Sequence, residues 1–172
     1  MELYAERGYE ETTVAEIARR AGVTERTFFR HFADKREVLF SGSGQLLEQM
    51  LAGLETAPTS ASAIEAAGLA IEHLCESFTE RDYSRRRQAI INANPLLQER
   101  ELIKFSWYAA QLGSALRNRG IAEPAARLAA ELGMAAFRIG WERWLNASDE
   151  RSMRATFRES FERMKAVAAG VS

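Results

Sequence analysis

Two helix starts stand close together near the N-terminus, and only a tight turn separates them. Thr13 can cap the first helix, and Glu16, three positions later, can return the hydrogen bond as a capping box. Gly22 follows where a left-handed residue ends a helix, and Thr24 can cap the second helix. Two short helices joined by a glycine-containing turn, with the small Ala18 where they cross, predict a helix-turn-helix.

The second helix is expected over residues 25–32, and its side chains divide into two faces. Phe28 and Phe32 are four positions apart and face inward together. A helix with a polar outward face can enter the major groove of DNA, with its first turn nearest to the base edges. Solvation of that face is the alternative, but the turn spacing, the two caps and the local charge favour DNA binding. The outward face carries Arg26, Thr27, Phe29, Arg30 and His31.

Charge is distributed unevenly along the chain. The formal net charge of the 172 residues is −1, so the molecule as a whole is not a nonspecific polyanion binder. Residues 1–18 carry one basic and five acidic side chains, whereas residues 19–36 carry six basic and two acidic side chains. A nearly neutral protein can therefore still present a basic face at its helix-turn-helix.

The run TTVAEIARRAGVTERTFFRHFADKREVLF (12–40) resembles the DNA-binding region of TetR-family regulators almost position for position. LYAERGYEE before it resembles the end of that family's first helix. The resemblance implies an all-α chain, with a three-helix DNA-binding domain at residues 1–40 and a helical ligand-binding and dimerisation domain at residues 41–172. The positions that it assigns to DNA contacts are Thr13, Thr24, Glu25, Arg26, Thr27, Phe29, His31 and Lys35.

The resemblance also implies how those contacts are divided. Thr13 and Thr24 lie at phosphate-contact positions, and Glu25 and Arg26 lie where base recognition varies between members. The remaining backbone-contact positions are Thr27, Phe29, His31 and Lys35.

This sequence departs from the family pattern in two ways. Phe29 stands where the family usually has a tyrosine, whose hydroxyl can reach a phosphate, and phenylalanine cannot make that bond. The family's first helix also normally begins many residues earlier, so we expect that N-terminal residues are missing from this sequence.

The rest of the chain is predicted to be helical, with about nine helices in all. Asp34 and Glu37 form a further capping box and predict the start of a long helix. Later helices are expected at residues 62–79, 95–119 and 124–145, followed by a ninth. GLETAPTS (53–60) is the strongest boundary signal in composition.

The helix at residues 124–145 is apolar nearly all round, so it must be buried on both faces. A stripe of small residues on it can let two backbones approach closely, which predicts a two-fold homodimer through the last two helices. The expected interface residues are Ala129, Leu132, Gly133, Ala136, Gly140, Phe157, Phe161 and Met164.

Large apolar side chains of the C-terminal region are candidates for an effector pocket between helices. Core packing is the competing interpretation for each of them. Scattered positions in residues 89–105 and 119–145 resemble the branch of the family associated with acyl-CoA-like ligands, and the arginines at 85–87 could meet CoA phosphates. The candidate pocket residues are Phe78, Phe105, Trp107, Tyr108, Met134, Phe137 and Trp141.

The sequence offers little for catalysis, cofactor binding or membrane insertion. It has no phosphate-binding glycine loop, no paired cysteines, and only His31 and His73 as histidines, so neither an enzyme nor a cofactor is expected. Cys75 is a lone thiol expected in a core, and no signal peptide or apolar stretch of about 20 residues is apparent, which favours the cytoplasm.

These observations predict a repressor that leaves a palindromic DNA operator when a small hydrophobic effector, such as an acyl-CoA or a fatty-acid-like molecule, binds. An activator or a ligand-independent regulator is the alternative within the same class. A metabolite-binding protein with a vestigial DNA module and an enzyme on a helical scaffold are the alternatives from other classes.

Overall fold

A computed structural model describes residues 1–170, and over this part of the chain it contains nine α-helices, one 3-10 helix and no strand. The predicted all-α fold is therefore confirmed. None of the helices among these residues is long and apolar enough to cross a bilayer. In order, the helices are α1 (Glu2–Arg7), α2 (Val14–Arg20), α3 (Glu25–His31), the 3-10 helix Lys35–Val38, α4 (Ser43–Glu55), α5 (Ala63–Cys75), α6 (Arg81–Asn92), α7 (Pro95–Asn118), α8 (Ala125–Asn146) and α9 (Met153–Ala168).

Hydroxyl caps set the starts of several helices. Thr13 accepts the backbone N–H of Glu16, and Glu16 returns a bond to the Thr13 backbone, so the predicted capping box is present. Thr24 caps α3 by accepting the N–H of Thr27. Ser62 forms a second capping box at the start of α5. Each cap satisfies an N–H group that the helix itself leaves unpaired.

The prediction that a long helix starts at Asp34 is wrong. Asp34 instead starts the 3-10 helix, and its carboxylate accepts the backbone N–H and the guanidinium of Arg36. The carboxylate of Glu37 pairs with Arg100 at 2.6 Å. Gly42 then takes a φ of 84°, a backbone conformation that ends any continuous helix before α4 begins.

The chain divides into two compact units. The first comprises residues 1–43 and 82–102, and the second comprises residues 44–81 together with the chain from residue 103 onward. The first unit thus includes most of α6 and the start of α7, which the sequence division assigned to the C-terminal domain. The reason is a shared core in which Ile91 and Leu97, both fully buried, pack with Tyr4, Leu39 and Phe40.

The second unit is built on α5, α8 and α9. Its core contains the fully buried Ile71 and the nearly fully buried Trp144 and Phe157, and Cys75 lies in it as expected. A Cβ built on Gly133 would lie 2.6 Å from Cδ1 of Ile71. The small residues of α8 therefore allow close packing within one protomer.

Candidate nucleic-acid interface and its C-terminal partner region

The turn between α2 and α3 is fixed by backbone bonds and buried apolar side chains. Gly22 takes a φ of 69°, and the N–H of Val23 donates to the carbonyl of Ala18 at 2.9 Å. Ala18 and Phe28 are almost fully buried. This packing forms the predicted helix-turn-helix and leaves the opposite face of α3 to solvent.

The outward face of α3 is exposed, as its sequence predicted. Arg26 forms no hydrogen bond or ion pair within residues 1–170, and Phe29 is 54% exposed. The guanidinium of Arg30 lies 3.4 Å from a ring nitrogen of His31, and the hydroxyl of Thr27 lies 3.0 Å from that of Thr24. Of the residues assigned to DNA contacts, the structure places Glu25, Arg26, Phe29 and His31 together as an exposed surface on α3.

Half of the basic side chains in residues 19–36 are already engaged within the protomer. Arg20 pairs with Glu2 and Glu6 on α1, at 2.8 and 3.2 Å. Arg36 donates to the carboxylate of Asp34, and these bonds hold the pKa of that carboxyl below its usual value. Lys35 is likewise engaged within the protomer. In the described part of the chain, no acidic side chain bonds to Arg19, Arg26 or Arg30.

The ammonium group of Lys35 is fully used inside the first unit. Its Nζ donates to the carbonyl oxygens of Tyr9, Glu10 and Thr12 at 2.8, 3.0 and 3.0 Å. It also lies 4.4 Å from the centre of the Tyr9 ring, and Tyr4 donates its hydroxyl to the carbonyl of Lys35. An ammonium has three donors, so a phosphate contact from Lys35 requires that a carbonyl bond break. The phosphate contact implied by resemblance stays a prediction.

The sequence analysis missed this role of Lys35. Tyr4, Tyr9 and Lys35 are separated by up to 31 residues, and no local spacing pattern links a lysine to carbonyl groups that distant in the chain. Only the fold of α1 against the end of the helix-turn-helix brings the three residues together.

The carboxylate of Glu16 lies at the N-terminal end of α2 and accepts hydrogen bonds there. The carboxylate of Glu16 accepts the backbone N–H of Thr13 at 2.9 Å and its hydroxyl at 3.0 Å, and it pairs with Arg7 at 2.6 Å. These bonds, led by the backbone N–H of Thr13, hold the pKa of Glu16 below its usual value. The donors of Thr13 are thus engaged, and the phosphate contact implied for Thr13 also stays a prediction.

Four of the aromatic candidates for an effector pocket, Phe78, Phe105, Phe137 and Trp141, form a packed cluster in the second unit. Phe78 lies 4.9 Å from Trp141 and 6.0 Å from Phe137, measured between ring centres. Phe105 lies 6.1 Å from Phe137. Trp107 is 37% exposed and contacts the buried Tyr108 at 5.1 Å. Met134 is also buried.

Two open grooves lie elsewhere. One, of about 460 Å³, is lined by α5 and α9, and the other, of about 490 Å³, by α1, the segment after it and α6. Neither has any of the aromatic candidates in its lining. Arg86 lines the second groove, whereas Arg87 donates to the carbonyl of Leu39 and to Glu101, and Arg85 pairs with Asp82.

The small residues of α8 pack against other helices of the same protomer. Most of the residues predicted for the dimer interface are therefore already covered. A Cβ on Gly140 would lie 3.1 Å from the Cα of Phe157, so α9 covers this part of α8. Leu132 alone among the expected interface residues is clearly exposed, at 39%, and Met164 is partly buried. The expected interface residues that are buried within the protomer are Ala129, Gly133, Ala136, Gly140, Phe157 and Phe161.

The outer face of α8 carries a different apolar stripe. Leu128 and Ile139 are 57% and 56% exposed, and with Leu132 they follow the spacing of one helix face. The exposed Ala135 lies between Leu132 and Ile139 on the same face. Sequence reasoning missed Leu128 and Ile139, because an all-round apolar helix does not show which of its faces is covered.

Comparison with known proteins adds to this geometry. Residues 1–41 match the model of the family described as bacterial regulatory proteins, tetR family. A 66-residue segment is 44% identical to the HTH-type transcriptional regulator TcmR of Streptomyces glaucescens. That segment covers 38% of this chain and 29% of TcmR, so the chain matches less than a third of that relative's length.

Solved structures resemble the whole chain at lower identity. A candidate TetR-family transcriptional regulator from Mesorhizobium loti MAFF303099 has a TM-score of 0.62 and 24% identity, over 98% of this chain and 91% of that one. The Thermus thermophilus TetR-family repressor FadR, solved with lauroyl-CoA, has a TM-score of 0.52 and 20% identity, over 96% and 89%. At these identities the likeness concerns the fold.

Proposed function

We propose that the chain, whose residues 1–41 match the TetR family model, is a TetR-type repressor that binds a palindromic DNA operator and is released from it by a small hydrophobic effector. The family and the named relatives are transcriptional regulators, not enzymes, in agreement with the sequence analysis. One observation carries the DNA-binding part of the proposal: α3 presents an exposed face on which Arg26 has no partner within the described residues.

The arrangement supports major-groove recognition by α3. Phe28 is buried and packs the inner face of α3 against the core, so the outward side chains lie on a helix that is fixed to the core. Arg26 lies in the first turn, where a guanidinium can bond to O6 and N7 of guanine. Arg19 in the last turn of α2 and Arg30 in the last turn of α3 are further cations that suit phosphates.

A homodimer follows from the need to hold two copies of α3 one helical turn of DNA apart. The surface that we assign to the dimer contact is the outer stripe of α8, Leu128, Leu132, Ala135 and Ile139, in place of the small stripe. Three of these side chains are large and exposed in the single protomer. Contiguous apolar surface of this kind gains most when a second copy covers it.

The place that we assign to an apolar effector is the aromatic cluster of the second unit. Phe78, Phe137 and Trp141 pack there with ring centres 4.9 to 6.1 Å apart. The FadR structure was solved with lauroyl-CoA, and that ligand is a property of that protein. We propose an acyl-CoA or a related acyl compound as the effector of this chain, acting by preferential binding to a conformer in which the two α3 helices are wrongly spaced.

Selection of DNA duplexes from a random pool by the purified protein tests the DNA-binding part. We expect a palindromic sequence to be enriched, with affinity that falls steeply as salt rises. Arg26→Ala should change the enriched sequence, whereas Arg163→Ala, on the exposed face of α9, should not. Absence of enrichment, or equal effects of the two variants, contradicts the proposal.

Tryptophan fluorescence tests the effector part without a known operator. Saturable quenching by acyl-CoAs is expected in the wild type and in Trp107→Phe, whose indole is partly exposed. Trp141→Phe should lose most of the change, because Trp141 lies in the aromatic cluster. Lack of any response would favour a ligand-independent regulator, while the DNA selection would be unaffected.

A further inference from the structure

Phe29 is the most exposed aromatic side chain in residues 1–170, at 54%. One exposed aromatic residue on a protein surface needs no explanation by itself. Arg26, however, lies on α3 three residues before Phe29 and four residues before Arg30. Side chains at these two spacings are neighbours on a helix, so Arg26 links the three residues into one patch. The patch therefore combines an apolar ring with guanidinium groups on both sides.

The ring of Phe29 is also held in place. It meets Phe28 edge to face, with ring centres 5.4 Å apart and planes at 90°. Phe28 is 3% exposed and in turn contacts Phe32 at 5.2 Å. This contact with a buried ring favours one orientation of the Phe29 ring, which suits recognition of shape as well as of apolar surface.

The chemistry of the major groove narrows what such a ring can recognise. Base edges there present hydrogen-bond donors and acceptors, and the apolar group among them is the C5 methyl of thymine. Phenylalanine has no hydroxyl with which to bond a phosphate. The neighbouring guanidiniums suit guanine or phosphate oxygens, so they bring the ring into the groove without competing for the methyl group.

We propose that Phe29 is a specificity-determining residue that recognises the methyl group of one thymine in each operator half-site. The inference rests on the proposed function, because it requires α3 to lie in the major groove. Arg26 or Arg30 contacts the same half-site, and Phe29 adds a preference for thymine over cytosine or uracil at the position that faces its ring.

Replacement of thymine by uracil tests the proposal, because uracil keeps the base pairing and lacks only the methyl group. Each thymine of the selected duplex is replaced in turn, symmetrically in both half-sites, and affinity is measured at fixed salt. At one position the wild-type protein should lose about fourfold in affinity per half-site, the effect of removing one buried methyl group. At the other thymines, affinity should change little.

Two variants separate recognition from general weakening. Phe29→Ala should bind the thymine and uracil duplexes equally. Phe29→Tyr keeps the ring and gains a hydroxyl, so it should retain the sensitivity to uracil. Circular dichroism establishes that both variants keep the helical fold. Equal wild-type affinity for every uracil duplex, or undiminished sensitivity in Phe29→Ala, overturns the inference; failure of the wild type to select any duplex overturns the proposed function itself.

Discussion

Helices α3 and α8 each leave one face uncovered within the protomer, but the two faces have opposite chemistry. On α3 the uncovered face carries Arg26 and Arg30 around the ring of Phe29. On α8 it carries large aliphatic side chains such as Leu128 and Ile139. A cationic face suits a polyanion in water, whereas an aliphatic face gains from exclusion of water by another apolar surface.

The covered faces of the two helices differ as well. On α3 the large ring of Phe28 enters the core. On α8 glycines at 133 and 140 let α5 and α9 approach closely, while Trp144 and Phe137 fill the space beside them. The comparison teaches that large exposed residues and small buried ones can share a helix, so residue size alone does not tell which face meets a partner.

The largest expected effect in this comparison is on the covered face of α8. Gly140→Leu places a side chain where even a Cβ would lie 3.1 Å from the backbone of Phe157, and backbone cannot yield as a flexible side chain can. We expect a loss of about 3 kcal/mol in the free energy of unfolding, measured by urea denaturation. Gly44→Leu is the control, because a Cβ on Gly44 meets nothing within 4 Å. Equal stability of the two variants contradicts the packing described for α8.

The uncovered face of α8 should respond differently. Ile139→Glu places a charge on the outer stripe and should raise the dimer dissociation constant about 100-fold, equivalent to about 2.7 kcal/mol. Sedimentation equilibrium measures this constant, and circular dichroism should show that the protomer stays helical. Ala155→Glu, on the exposed side of α9, is the matched control. An unchanged dimer dissociation constant in Ile139→Glu would mean that the interface does not lie on this stripe.

The sequence predicted α3 well and α8 poorly, for a physical reason. The faces of α3 follow from local signals: the cap at Thr24, the φ of Gly22 and the spacing of Phe28 and Phe32. The start and end of α8 were also predicted closely. Which of its apolar faces is covered depends on α5 and α9, at residues more than ten positions away in the chain, and no local pattern encodes that.

The same limit applies inside the first unit. Family resemblance assigned Lys35 to a phosphate, but its neighbours in space come from the segment before α2 and are distant in sequence. Helix bounds, caps and the exposed face of α3 were predictable from residues 13–32. The partners of the long cationic side chains were not, because such side chains reach across helices.

Substitution of Lys35 should give the next largest loss of stability. It also tests how many phosphates the first unit can contact. Lys35→Met keeps the length of the side chain but removes three bonds to carbonyl groups, so the free energy of unfolding should fall by about 2 kcal/mol. The salt dependence of DNA affinity should stay unchanged, because the ammonium is already engaged. Arg30→Ala should show the reverse pattern: little change in stability and a salt slope lower by about one. A lowered salt slope in a stable Lys35→Met would instead support the phosphate contact that the family resemblance implies for Lys35.

Thr13 gives the smallest effect, together with a dependence on pH. Thr13→Ala removes the cap of α2 and should cost about 1 kcal/mol in thermal unfolding at neutral pH, compared with Thr59→Ala on an exposed loop as control.

The hydroxyl of Thr13 also donates to Glu16, whose pKa lies below the usual 4.5 in the folded protein. A group with a lowered folded pKa stabilises the fold above its unfolded pKa and loses that contribution as pH falls through the folded value. The difference between wild type and Thr13→Ala should therefore be constant above about pH 4.5 and shrink in more acidic solution, while the bond from the N–H of Glu16 to the hydroxyl keeps it above zero. A difference that grows on acidification would mean that the carboxylate of Glu16 does not stabilise the start of α2.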